Sequence, residues 1–119
     1  MPLDLNKLVD PAHTAVVTQE CQNAVLGTTA VMPSIALVAR KGMIDTAARL
    51  LRAARAAEVP VIHCVIARRA DGRGSNRNAR LFVASRRGGV IRNVEGTPDA
   101  MPIPEFGPEP SDILLTRLH

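Results

Sequence analysis

Two short, mostly apolar runs with one helical stretch between them constrain this chain most. Ala15-Val16-Val17-Thr18 and "VPVIHCVIA", Val59 to Ala67, read as strands with no apolar/polar alternation. Such strands are covered on both faces, as inside a parallel sheet. Pro60 is tolerated near the start of the second. Between them the helix period runs from Pro33 to about Glu58. Pro33 suits a first helical position, Gly42 marks a break, and Ile44, Ala47, Ala48 and Leu51 recur at helix spacing. Strand, helix, strand is a right-handed βαβ unit. The expected class is α/β with a parallel sheet.

The flanking segments are less regular. Residues 1–13 read as a polar lead-in, and "NAVLGTTAVMP" as a loop. Arg49, Arg52 and Arg55 line a second helix face, read as solvated. From Ala67 to Ser111 no good strand is visible, which is long for a connection. Asn78 to Arg87 is expected as a helix with Ala79, Phe82 and Val83 inward, ended by Gly88-Gly89. "TPDAMPIPEFGPEP" is a Pro-rich approach to a third strand, Asp112 to Leu118, "DILLTRL". Three short strands and two helices hide only part of a parallel sheet. Further strands are therefore expected beyond His119, from missing residues or from a partner chain.

A length of 119 residues suits one domain. Its core must be aliphatic, since Phe82 and Phe106 are the sole aromatics besides histidine. That scarcity argues against a base-stacking nucleic-acid surface. The net charge of +4 is regional: eight of 13 Arg lie between Arg68 and Arg92, where Asp71 is the sole acid. This stretch reads first as a solvated or subunit-facing loop. It reads next as a pocket wall selecting an anionic substrate, and last as a nucleic-acid contact without the aromatic interleaving a reader needs. "DGRGSNRNAR" lacks the pattern of a phosphate loop. Two cysteines and no leader segment point to a reducing cytoplasm without a disulfide framework. No apolar run approaches the ~20 residues of a membrane span.

Chemistry concentrates in "TAVVTQECQNAVLG", Thr14 to Gly27, where a carboxylate, a thiol and two amides follow a strand. Glu20 is the candidate base. Cys21 is a poor nucleophile, because an adjacent carboxylate disfavours the thiolate. Gln22 and Asn23 read chiefly as loop-holding groups, with substrate contact as the second reading. His63 and Cys64 are strand neighbours and point to opposite faces, so they cannot share a metal. No metal site and no cofactor are expected.

Three ordered stretches resemble the isochorismatase-like cysteine hydrolases, a family that includes the nicotinamidases. "TAVVTQECQNAVLG" is similar to the family's first strand, with an acid, any residue, then Gln-Asn. "LLRAARAAEVPVIHC" is similar to its helix-to-second-strand passage. "SDILLTRLH" is similar to its third strand, which ends on a basic residue. The resemblance implies a three-layer α/β/α domain with a six-stranded, Rossmann-like parallel sheet. It also implies a catalytic set of Asp, Lys and Cys, in which the Cys attacks a carbonyl carbon. Carried over, the acid position falls on Glu20 and the basic position on Arg117. Separately, Gln22 and His119, two residues after Arg117, are candidate substrate contacts. Glu can still act as a general base. Arg can stabilise a thiolate or oxyanion but cannot transfer protons near neutral pH. Glu58 stands where the family has Gly, just past the helix end, where a left-handed residue is favoured.

The family's nucleophile follows the fourth strand, and neither Cys21 nor Cys64 aligns with it. Residues 1–119 are thus expected to be a single hydrolase domain cut before that strand, and inactive alone. Its expected partners are a small-molecule substrate, and either like subunits or a carboxyl-terminal fragment of the same protein. Two other readings stay open: a scaffold or ligand-binding protein without the nucleophile, and a basic nucleic-acid-associated protein using residues 68–92.

Overall fold

In the computed structural model, which describes residues 2–80, 82–83 and 92–118, the predicted βαβ unit is present. The order is α1 (Leu5–Leu8), β1 (Val16–Gln19), α2 (Asn23–Leu26), α3 (Pro33–Ala39), α4 (Met43–Ala56), β2 (Val61–Ala67) and β3 (Ile113–Leu118). The strands form one parallel sheet in the order β1-β2-β3. Val16 pairs with Val61, and Ile62 with Ile113. Three-residue 3-10 turns lie at Pro11–His13, Pro98–Ala100 and Pro104–Phe106.

Helix α3 begins on Pro33 as its first residue. Gly42 takes φ 146° ahead of α4, a conformation that ends one helix and starts the next. Ile44, Ala48, Leu51 and Ala54 recur along one side of α4 and are buried, with Ala47 packed beside them. They meet Val61 of β2, Leu26 of α2, Ala39 of α3, Phe106 of the last 3-10 turn and Ile103 just before it. The far end of α4 closes on Glu58, which adopts φ 57°. The Glu58 amide donates to Arg55 O and that of Val59 to Ala54 O, the left-handed closure that glycine usually makes.

Several expectations need correction. "NAVLGTTAVMP" is not all loop, for Asn23–Leu26 is a turn of α-helix. The lead-in contains α1, capped by the Asp4 side chain, which accepts from the amides of Asn6 and Lys7. The Pro-rich approach is part of the core, with Ile103 and Phe106 fully buried. Strand β1 is not covered on both faces, because Val17 is 57% exposed. Of the expected helix Asn78 to Arg87, Arg80, Phe82 and Val83 are helical and Val83 is exposed. Leu81 and residues 84–87 of it, and Gly88-Gly89, lie outside the described residues.

Arg55 is the largest departure. It does not line a solvated face. Its Nη2 donates to Asp112 Oδ2 at 2.7 Å and to the Phe106 carbonyl at 2.6 Å, and its Nε donates to Asp112 Oδ1 at 3.1 Å. The Asp112 side chain is 1% exposed and also faces His63 Nε2 at 3.2 Å. An ionised Asp112 accepts from the Nε2–H, leaving Nδ1 to accept from the Thr18 hydroxyl at 2.7 Å. Both ring nitrogens of His63 are therefore committed within the fold. The network ties α4, β1 and β2 to the start of β3.

Side chains alternate across a strand, and registered residues of parallel neighbours share a face. Val61, His63, Val65 and Ala67 thus face α4 and are buried. Val17, Gln19, Ile62, Cys64, Ile66, Ile113, Leu115 and Arg117 share the other face, where Val17, Ile113 and Leu115 are exposed. Strand β3 is exposed at all six residues and pairs along one edge among the described residues.

Candidate active site

Carboxyl ends of parallel strands form the crevice where sites of such sheets gather. At that edge the Gln19–Glu20 step leaves β1. The Glu20 amide still donates to Cys64 O at 2.8 Å, but its backbone takes φ 54°. A non-glycine residue in the left-handed region is held there by its surroundings. The turn carries the Glu20 side chain across β2 to Arg117 of β3, whose Nη2 donates to Glu20 Oε1 at 3.0 Å. The two side chains are 38% and 57% exposed. Residues 97 positions apart, both singled out from sequence, thus meet in an open ion pair.

Gln22 and Asn23 hold this turn in place. Gln22 is fully buried, and its amide brackets the end of β2: Nε2 donates to Ile66 O and Oε1 accepts from Ile66 N, both at 2.9 Å. Asn23 Nδ2 donates to Pro98 O at 2.9 Å and Met101 O at 3.3 Å. The loop-holding reading describes both amides. Gly27 must stay bare, since a Cβ there would lie 2.6 Å from Asn23 O. His119 lies outside the described residues.

Cys21 turns away from this chemistry. It packs against the core cluster, its Sγ lies 3.5 Å from Gln19 O, and burial pushes its thiol pKa up, with Glu20 adding to the rise. Such a thiol is a poor nucleophile near neutral pH. Cys64 sits half-buried on the open sheet face, in a hollow of about 240 Å³ lined by Gln19, Leu115 and Arg117. No three His, Cys, Asp or Glu side chains cluster at metal-binding distance among the described residues. No helix among those residues is long and apolar enough to cross a membrane.

On the other side of Glu20 lies a cleft of about 120 Å³. Its walls are Ala24 and Val25 of α2, Val31, Met32 and Ile66, with Arg68, Phe82, Arg92 and Asn93 from the Arg-rich segment. Sequence reasoning left that segment with three open readings. Its described ends meet the domain: Arg68 bridges to Val94 and Arg92 pairs with Asp99 at 3.5 Å, while Arg69 pairs locally with Asp71 at 2.6 Å. Asn93 gave no signal in the sequence. It has φ 62°, and its Oδ1 is buried without a hydrogen-bond partner among the described residues.

The isochorismatase domain family model matches residues 14–119. A cysteine hydrolase from Pseudomonas syringae pv. phaseolicola 1448A superposes with a TM-score of 0.70 at 25% identity, over 92% of this chain and 48% of its own. N-carbamoylsarcosine amidase from Thermoplasma acidophilum shares the fold with a TM-score of 0.56 at 16% identity, over 87% of this chain and 50% of its own. The chain spans about half the length of these two structures. No curated protein sequence matches it. With a parallel α/β sheet and a family match that spans residues 14–119, the chain belongs to the isochorismatase domain family.

Proposed function

We propose that these residues form the amino-terminal part of a cysteine-dependent hydrolase acting on a small-molecule amide or related bond. Glu20 is the general base that takes the thiol proton. Arg117 is the fixed cation that stabilises the thiolate and the oxyanion of the tetrahedral intermediate. The nucleophilic Cys lies beyond His119, after a fourth strand that in a doubly-wound sheet pairs with the open edge of β1, next to Glu20. The observation carrying this reading is the 3.0 Å Glu20–Arg117 pair, open to solvent at the carboxyl edge of the sheet.

The chemistry follows from the parts. A carboxylate near a thiol can accept its proton, and a guanidinium nearby holds the resulting anion without competing for that proton. Attack on an amide carbon then places negative charge on the carbonyl oxygen, where a fixed donor lowers the barrier most.

Mass measurement of the protein from its native source tests the arrangement most cheaply. A mass well above 12.7 kDa, or a second fragment co-purifying, supports it. Amide hydrolysis by the 119-residue chain that survives Cys21→Ala would overturn it.

A further inference from the structure

The cleft beside Glu20 holds three charged side chains, and two are already balanced. Glu20 pairs with Arg117. Arg92 pairs with Asp99, whose other oxygen accepts from the Thr29 hydroxyl at 2.7 Å. The third, Arg68, is half-buried at the end of β2, and its guanidinium lies 5.6 Å from the centre of the Phe82 ring. It has no carboxylate partner among the described residues. The ring supports the cation's flat face and leaves its N–H edges for another acceptor. Beside it stands Asn93 Oδ1, a buried acceptor with no donor among the described residues. Asn93 keeps a left-handed backbone to occupy that place. Strain of this kind gathers at ligand clamps.

We propose that this cleft selects small carboxylates that also carry an N–H donor, such as the carboxamide group of a short acid amide. The carboxylate pairs with Arg68, and the N–H donates to Asn93 Oδ1. The apolar wall of Ala24, Val25, Val31 and Ile66 covers the short carbon chain between them. A cleft of about 120 Å³ suits a body on the order of six to eight non-hydrogen atoms, given that a ~150 Å³ apolar cavity holds benzene. As a statement of substrate class, this rests on the hydrolase reading above. As a statement of binding, it rests on the cleft itself.

The test is an equilibrium titration followed by protein NMR with three probes of matched size: succinamate, the neutral diamide succinamide, and monomethyl succinate, which lacks the N–H. Succinamate is expected to bind at least ~10-fold more tightly than succinamide, as a charge-assisted bond implies, and ~5-fold more tightly than monomethyl succinate. Arg68→Gln removes the first preference, and Arg68→Lys keeps part of it. Asn93→Gly removes the second while relieving the left-handed backbone.

Equal binding of succinamate and succinamide overturns the proposal, and so does an absence of binding by all three probes. An unchanged preference in Arg68→Gln also overturns it. Hydrolysis of neutral amides in preference to acid amides, by a protein extended through its nucleophile, would defeat the substrate class and leave the hydrolase reading standing. The predicted binding order in an extended protein that hydrolyses nothing would do the reverse.

Discussion

Two carboxylate–arginine pairs anchor the two ends of β3, and they are built for opposite purposes. At the amino end, the Asp112 side chain is 1% exposed and its oxygens accept from Arg55, His63 and the Glu109 amide. At the carboxyl end, Glu20 and Arg117 share a single 3.0 Å contact, with both side chains open to water. The first pair is consumed by the fold. The second is at the disposal of anything that enters. Burial and full satisfaction make a charge structural, whereas openness beside a cleft leaves it available for chemistry.

Removing the buried acid should cost most. Asp112→Ala leaves the Arg55 cation and His63 without their common partner, and a loss of about 3 to 5 kcal/mol is expected in denaturant unfolding. The pH dependence of stability reads the same group without mutation. Arg55 holds the Asp112 carboxyl down at about 2, against an ordinary value of 3.8. A depressed folded-state pKa means the folded chain binds fewer protons than the unfolded one. This contribution, about 2 kcal/mol, is fully present above pH 4 and lost as pH falls from there toward 2. A flat stability profile across that window would remove Asp112 from the account.

Gly107→Ala should cost about 2 kcal/mol. Gly107 has φ 106°, and a Cβ there would stand 3.0 Å from the Glu109 amide nitrogen and 3.1 Å from Arg55 Nη2. Thermal melting checks it. Glu58→Gly should change stability the other way, raising it by about 1 kcal/mol, because glycine adopts the left-handed turn after α4 without steric cost. The smallest effect sharpens the contrast most. Glu20→Gln and Arg117→Met should each shift stability by no more than about 0.5 kcal/mol, as exposed pairs do. A loss comparable to that of Asp112→Ala would make the open pair structural after all.

The sequence carried the frame of this fold clearly. The apolar runs located β1, β2 and β3 to within two residues, and Gly42 located the break between α3 and α4. What it hid follows from the physics of each case. Helix α2 is four residues long, too short for a helix period to show. Ile103 and Phe106 sit among prolines, so no period marks them as core. Arg55 shares its spacing with Arg49 and Arg52, and only Asp112, 57 positions away, makes it different. The site was legible through resemblance rather than periodicity, since nothing local in "DILLTRL" distinguishes Arg117. Asn93 was not legible at all, for its meaning lies in an acceptor left unpaired by the folded chain.

The central claim is that Glu20 serves a nucleophile supplied by the rest of the domain. Turnover of a small acid amide by the proposed longer protein, one that includes a fourth strand and a Cys after it, with and without Glu20→Gln, tests it most directly. The predicted result is hydrolysis by the extended protein, a loss of about 100-fold or more in Glu20→Gln, and an unchanged denaturation midpoint. Full turnover in Glu20→Gln would contradict the claim.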